Sequence, residues 1–201
     1  MIGWPKGGIG ETFCQGLGVL LGLVPGVGAP VSVDDLEFRE FFASQFSQLY
    51  WLGLLLTGDP GQAEELAQDS MVRTYNRWAR VRKPTDPALY ARRVLVNRHR
   101  SLARRALVEA RHLVAVRPSA PAPADLGEDA IVVWAAVARL PVRQRLVLAL
   151  RYHEDLTEVQ VARVLGLPLG TVKTLARRGL ARLRAELAPG APRADRVEEQ
   201  R

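Results

Sequence analysis

Thr157-Glu158-Val159-Gln160-Val161-Ala162-Arg163-Val164-Leu165-Gly166 leads through Leu167 into Pro168-Leu169-Gly170-Thr171-Val172-Lys173-Thr174-Leu175-Ala176-Arg177-Arg178. The first four residues form a capping-box pattern, in which the Thr157 hydroxyl and the Gln160 side chain satisfy backbone N–H groups that a helix start leaves unpaired. The spacing predicts a short helix with Val161, Ala162 and Leu165 inward, stopped at Gly166, the small residue that a tight interhelical turn needs. Pro168 opens a second helix, with Val172, Leu175, Leu180 and Leu183 facing the partner and Lys173, Arg177, Arg178, Arg182 and Arg184 facing outward. The pattern is that of a helix-turn-helix, whose second helix enters a DNA major groove by its N-terminal part. Thr171, Lys173, Thr174 and Arg177 are the candidates for contact at or near base edges. Arg178 and Arg182 suit phosphate, which orients the protein without specifying sequence. Two helices that merely pack together share this outline, but the turn glycine, the capping box and the basic second helix together argue for the DNA-binding form.

Upstream of this motif, Leu140-Pro141 starts a helix that runs through Tyr152, and another helix begins near Asp129. Before that, Pro118, Pro121 and Pro123 stand among Ala, Ser and Gly without apolar period, which reads as an extended linker. A second helical unit precedes the linker. From Asp34 to Leu56, Phe38, Phe42, Phe46, Leu49 and Leu56 recur at the spacing of an amphipathic helix. Thr57-Gly58-Asp59-Pro60 stops it and starts the next: Gly58 suits a left-handed C-cap, Asp59 an N-cap and Pro60 a first helical position. The second helix carries Ala63, Leu66, Ala67, Met71, Tyr75 and Trp78 on one face and ends at the basic run before Pro84. Asp86-Pro87 repeats the cap-then-proline start of a third helix, with Ala91, Leu95, Leu102 and Ala106 inward. Its other faces are crowded with Arg92, Arg93, Arg98, Arg100, Arg104 and Arg105, a density that repels itself unless an anion is near.

The composition agrees with a polyanionic partner. Lys and Arg number 28 against 21 Asp and Glu, a formal charge of +7. The single cysteine, Cys14, excludes an internal disulfide and a multi-thiolate metal site, and His99, His112 and His153 lie too far apart in sequence to have ligand spacing. No cofactor or metal is expected. Residues 1–32 are Gly-rich and without period; they read as a disordered leader, or as a start codon placed too early, with Val31 and Val33 as alternative starts if encoded by GTG. The apolar run from Gly16 to Gly28 is too short to span a bilayer and is interrupted by Pro25. The leader also lacks the order of a signal peptide, so the chain is expected to be cytoplasmic. Lys6-Gly7-Gly8-Ile9-Gly10-Glu11-Thr12 has the outline of a phosphate-binding loop, but Glu11 stands where a lysine should meet the phosphate.

From about Asp34 to Leu187 the chain resembles the extracytoplasmic-function class of sigma-70 family factors, the initiation subunits of bacterial RNA polymerase. Leu140-Pro141-Val142-Arg143-Gln144-Arg145, then Leu150-Arg151-Tyr152 and Gly170-Thr171-Val172-Lys173, look like the family's region 4. Leu56-Thr57-Gly58-Asp59, then Ala63-Glu64-Glu65-Leu66 and Gln68-Asp69, look like its region 2, and Asn97 matches a further family position. Tyr90-Ala91-Arg92-Arg93-Val94-Leu95-Val96-Asn97-Arg98 resembles an actinobacterial, sigma-E-like subgroup. Two separate matches in the right order are far more specific than either alone.

The resemblance implies an all-α chain of two small helical domains: region 2 over 33–108, a flexible linker over 109–128, region 4 over 129–187 and a disordered tail over 188–201. It implies that Glu65, Gln68 and Asp69 bind the clamp helices of the largest subunit of core polymerase, and that region 4 meets the flap of the second largest. Arg93, Asn97, Arg98, Arg104 and Arg105 are implied at the −10 promoter element, and Thr171, Lys173, Thr174, Arg177, Arg178 and Arg182 at the −35 element. The linker, with Asp125, Glu128 and Asp129, would thread through the polymerase, and an anti-sigma factor is a further implied partner. Gln160 and Pro168 depart from the Glu and Ser frequent in the family without threatening the fold.

Two other classes compete. A stand-alone helix-turn-helix regulator would need a dimerisation or ligand domain, and the N-terminal half offers no such pattern. An enzyme would need paired carboxylates, metal spacing or a nucleophile constellation, and none is present.

Overall fold

The computed structural model describes residues 33–83, 86–109 and 128–188, and among them no strand occurs. The helices follow in the order α1 (Val33–Thr57), α2 (Pro60–Tyr75), α3 (Trp78–Val81), α4 (Pro87–Glu109), α5 (Glu128–Ala138), α6 (Val142–Leu148), α7 (Glu158–Leu165) and α8 (Leu169–Leu187). A π-helical turn, Ala149–His153, continues α6. The leader with Cys14 and its loop-like glycines, most of the linker and the tail beyond residue 188 lie outside the described residues.

α1 and α2 form a hairpin, and the four residues read as its hinge act as their chemistry dictates. Gly58 takes φ 71°, the left-handed conformation that glycine reaches without a Cβ penalty. The Asp59 carboxylate accepts from the Gln62 N–H at 2.8 Å, and Pro60 occupies the first turn. The Thr57 hydroxyl donates to the Gly53 carbonyl at 3.0 Å, so the last turn of α1 also closes on itself. Close approach of the two helices depends on Gly53, where a Cβ would lie 2.9 Å from the Ala63 carbonyl oxygen.

The α1 stripe Phe38, Phe42, Phe46, Leu49, Leu52 and Leu56 is buried against Ala63, Leu66, Ala67 and Met71 of α2 and Ala91, Leu95 and Val96 of α4. Each such large apolar side chain stabilises by about 1.5–3 kcal/mol when fully removed from water. Part of this core is aromatic: Trp78 meets Phe38 edge-on at 5.1 Å, and Phe42 stacks on Phe46 at 4.9 Å. Here the structure departs from the single second helix expected to reach the basic run. α2 ends at Tyr75, Arg77 leaves helical geometry with φ −123° and ψ 12°, and the one-turn α3 follows. The break swings Trp78 back onto Phe38 and Phe41.

In the C-terminal unit, α5 and α6 pack on α8, and α7 and α8 form the hairpin expected from the sequence. Thr157 and Gln160 make both bonds of the capping box: the Gln160 N–H donates to the Thr157 hydroxyl at 3.3 Å, and the Thr157 N–H donates to Gln160 Oε1 at 2.8 Å. Gly166 turns the chain at φ 61°, and the Leu167 N–H closes the turn on the Ala162 carbonyl at 3.1 Å. The inward face of α8 is Val172, Ala176 and Gly179, with Leu175, Leu180 and Leu183 half-buried at its flanks. The small residues are needed because α6 crosses there: a Cβ on Gly179 would sit 3.1 Å from Leu148 Cδ1.

The two units pack on each other. One apolar cluster runs from Phe46, Leu95 and Val96 to Leu150, Val161 and Val172, and a second joins Trp51, Leu54 and Leu55 to Trp134 and Ala149. Arg92, expected on a charged outer face of its helix, is instead 4% exposed. Its charge is matched: Nε donates to Glu154 Oε2 at 2.7 Å, Nη1 to Gln45 at 3.1 Å and Nη2 to Gln48 at 2.6 Å. A helical periodicity shows which face a residue occupies but not a partner 62 positions away in the chain.

Candidate nucleic-acid interface

The arginines of α4 divide into distinct groups. Asn97, Arg98 and Arg105 line a cleft of about 610 Å³ between α2 and α4, together with Arg73, Asn76, Arg77 and Tyr90. Arg93 and Arg104 are exposed and line neither this cleft nor its neighbour. The cleft has the composition that suits extruded bases on a phosphate backbone: guanidinium groups for charge, an aromatic ring for stacking, and amides for hydrogen bonding. Arg73, Asn76, Arg77, Tyr90 and Ser101 were not among the residues expected there. Tyr90, Val94, Asn97, Ser101 and Arg105 recur at three- and four-residue intervals, so the α4 part of the lining was legible as one helical stripe.

A second cleft, of about 520 Å³, brings Glu65 and Asp69 of α2 against Arg98, His99 and Leu102 of α4. Gln68, grouped with these carboxylates from the sequence, does not line it; its Nε2 donates to Glu64 at 2.8 Å. Asp69 joins the two clefts, with Arg98 Nε 2.9 Å from Oδ2 and Arg73 Nε 3.0 Å from Oδ1. A residue expected at the polymerase therefore holds one expected at DNA. Burial lowers the His99 imidazole below its ordinary value of 6.5, and the charges of Arg100 and Arg145 lower it further.

On α8, Lys173, Arg177, Arg178 and Arg182 are exposed, whereas Thr171 and Thr174 are half-buried. The Thr174 hydroxyl donates to the Gly170 carbonyl at 2.9 Å and so is engaged within the first turns of the helix. Lys173 lies 3.9 Å from Glu158, a contact between exposed groups that contributes little. Four exposed cations thus project from the helix that a helix-turn-helix presents to the groove, one of them, Lys173, near Glu158. Among the described residues no helix is long and apolar enough to cross a membrane.

A helix-turn-helix, together with an arginine-lined cleft that includes Tyr90, defines an all-helical protein of the nucleic-acid-binding class. Residues 42–107 match Sigma-70 region 2, and residues 136–185 match Sigma-70, region 4. The RNA polymerase sigma-E factor of Streptomyces coelicolor is 32% identical over 161 residues, covering 77% of this chain and 88% of that protein. The ECF RNA polymerase sigma factor SigM of Mycobacterium tuberculosis is 30% identical over 158 residues, covering 78% and 80%. The chain belongs to the sigma-70 family of RNA polymerase sigma factors, in its extracytoplasmic-function subfamily. The fold is also that of the sigma factor RpoE in a co-crystal structure with the anti-sigma factor NepR from Bartonella quintana, with a TM-score of 0.68 at 21% identity, covering 75% of this chain and 96% of that one.

Proposed function

We propose that this sigma factor binds core RNA polymerase through region 2, reads a −10 element in the α4 cleft and a −35 element with α8, and assists promoter melting. The observation that carries the reading is Asp69, where the carboxylate side of α2 and the arginine side of α4 meet. An acidic helix face suits a basic partner helix, and a neighbouring basic cleft holds the strand that melting releases. Glu65 and Asp69 would meet the clamp helices of the largest subunit, and region 4 the flap of the second largest. Asn97, Arg98 and Arg105 would serve the −10 element from within the cleft, with Arg93 and Arg104 as outer phosphate contacts. Lys173 and Arg177 would reach base edges at −35, while Arg178 and Arg182 hold phosphates and Thr171 and Thr174 set the start of the helix.

The role is one of binding in the cytoplasm, with catalysis left to the polymerase. An anti-sigma partner is supported by the solved relative, which is complexed with one. A stand-alone regulator is the weaker alternative, because the N-terminal half it would need for dimerisation matches region 2. Co-elution with purified core polymerase tests the reading: Glu65→Lys should weaken the complex at least tenfold, roughly the loss that 1.4 kcal/mol produces. Undiminished affinity in Glu65→Lys and Asp69→Lys alike would remove the clamp assignment.

A further inference from the structure

A cleft of about 390 Å³ lies between α1, α5 and α8, and its lining is apolar. Trp51 and Leu55 come from α1, Trp134 and Val137 from α5, and Leu180 and Leu183 from α8. Among the described residues no Asp, Glu, Lys or Arg lines it, in a chain that carries 28 basic and 21 acidic residues. Tyr152 also lines the cleft while 57% exposed, so the space opens to solvent and is not a sealed void. Apolar surface left in contact with water gains by being covered, and a cleft of this kind marks a binding site.

The chain carries a group of matching chemistry just before α1. From Thr12 to Val33 no residue is charged, and within that stretch Leu17, Val19, Leu20, Leu21, Leu23 and Val24 form an apolar run. Reach allows the two to meet. Trp51 lies 18 residues beyond Val33, about 27 Å along α1 at 1.5 Å per residue, and Leu55 about 33 Å. Leu20 and Leu21 precede Val33 by 13 and 12 residues, or about 43 and 40 Å of extended chain at about 3.3 Å per residue. Folding back along α1 therefore brings both leucines to the cleft with slack for a turn. Pro25, Gly26, Gly28 and Pro30 stand between the run and α1, where they oppose a backward continuation of the helix and suit a reversal. Tethering favours this occupant over a free molecule, since a linked group meets its site at an effective concentration of about millimolar order. We propose that the apolar run Leu17 to Val24 docks in cis into the cleft between α1, α5 and α8, with Leu20 and Leu21 as its anchors.

Cys14 is the single cysteine and stands three residues before Leu17, so a nitroxide attached to it reports the position of the run in the otherwise unaltered full chain. Methyl NMR spectra are recorded with the nitroxide intact and then reduced. With the nitroxide intact, the signals of Val137, Leu180 and Leu183 should weaken at least about twofold, and reduction should restore them. In the spin-labelled double variant Leu20→Asp, Leu21→Asp the same signals should stay at full strength, because two carboxylates do not enter an apolar cleft without partners. If that variant lost helical content, Leu20→Ser with Leu21→Ser would carry the same comparison. Unweakened signals in the labelled wild type, or weakening that survives the polar substitutions, would overturn the docking. Mixing spin-labelled protein with an isotope-labelled Cys14→Ser chain separates the copies: weakening passed between chains to the same degree gives the cleft to a second copy. A small molecule extracted from the purified protein, with the cleft signals unchanged by the polar substitutions, gives it to a free ligand. Either result overturns docking in cis.

Discussion

Asp69 on α2 and Arg98 on α4 form an ion pair at 2.9 Å, and the same carboxylate holds Arg73 at 3.0 Å. Both partners of the Asp69–Arg98 pair are about a quarter exposed, so the pair stabilises the fold by no more than about 1 kcal/mol. Its larger consequence is electrostatic, since Asp69 neutralises cations that line the α4 cleft.

Asp69→Asn therefore has two opposed effects. It frees Arg73 and Arg98, and single-stranded DNA binding by the isolated protein should tighten, with a salt dependence steeper by about one phosphate contact. Affinity for core polymerase should fall. Fluorescence anisotropy against salt, paired with a polymerase-binding titration, reads both; movement of the two affinities in the same direction contradicts the arrangement.

The two DNA surfaces should fail separately. Arg177→Ala should weaken protection of the −35 duplex by about 1–3 kcal/mol while leaving −10 opening intact once complexes form. Arg98→Ala should do the converse. Footprinting and permanganate reactivity on one promoter distinguish them, and identical patterns for the two variants would sink the division.

Gly53→Ala should destabilise the protein despite the better helix propensity of alanine. The added Cβ meets backbone, the Ala63 carbonyl at 2.9 Å, and α1 and α2 must move apart. A loss of about 1–3 kcal/mol in denaturant unfolding is expected. A gain of about 1 kcal/mol, the propensity difference alone, would show that the helices separate freely.

His99 gives stability a pH dependence. It shares a cleft with Arg98, Arg105, Glu65 and Asp69, and its proton affinity is lowered first by burial and then by the charges of Arg100 and Arg145. The unfolded chain thus takes up a proton before the folded one does. The contribution is complete above the unfolded value of 6.5 and is lost as pH falls through the lower folded value. Melting temperature should drop between about pH 7.5 and pH 5.5 more in the wild type than in His99→Gln. Parallel pH profiles for the two proteins would exclude the histidine.

How much of this was legible in the sequence depended on the range of the interaction. Gly58, Asp59, Pro60, Thr157, Gln160 and Gly166 act on neighbours within a few residues, so their chemistry announces the hairpins and the helix-turn-helix. The phenylalanine stripe of α1 shows its face by period alone. The fate of Arg92 was hidden, because Glu154, Gln45 and Gln48 come from other elements, and so was the tight crossing at Gly53. Tyr90 and Ser101 of the α4 cleft lay on a readable stripe, whereas Asn76 and Arg77 enter it only because the chain breaks before Trp78.

The most direct measurement is promoter-directed transcription by purified core polymerase with and without this protein, on a library of genomic fragments. The account predicts discrete new transcripts that require the protein, whose start sites share paired upstream elements centred near −10 and −35. Specific protection of duplex sites by the protein alone, with no polymerase complex and no new transcript, would contradict it.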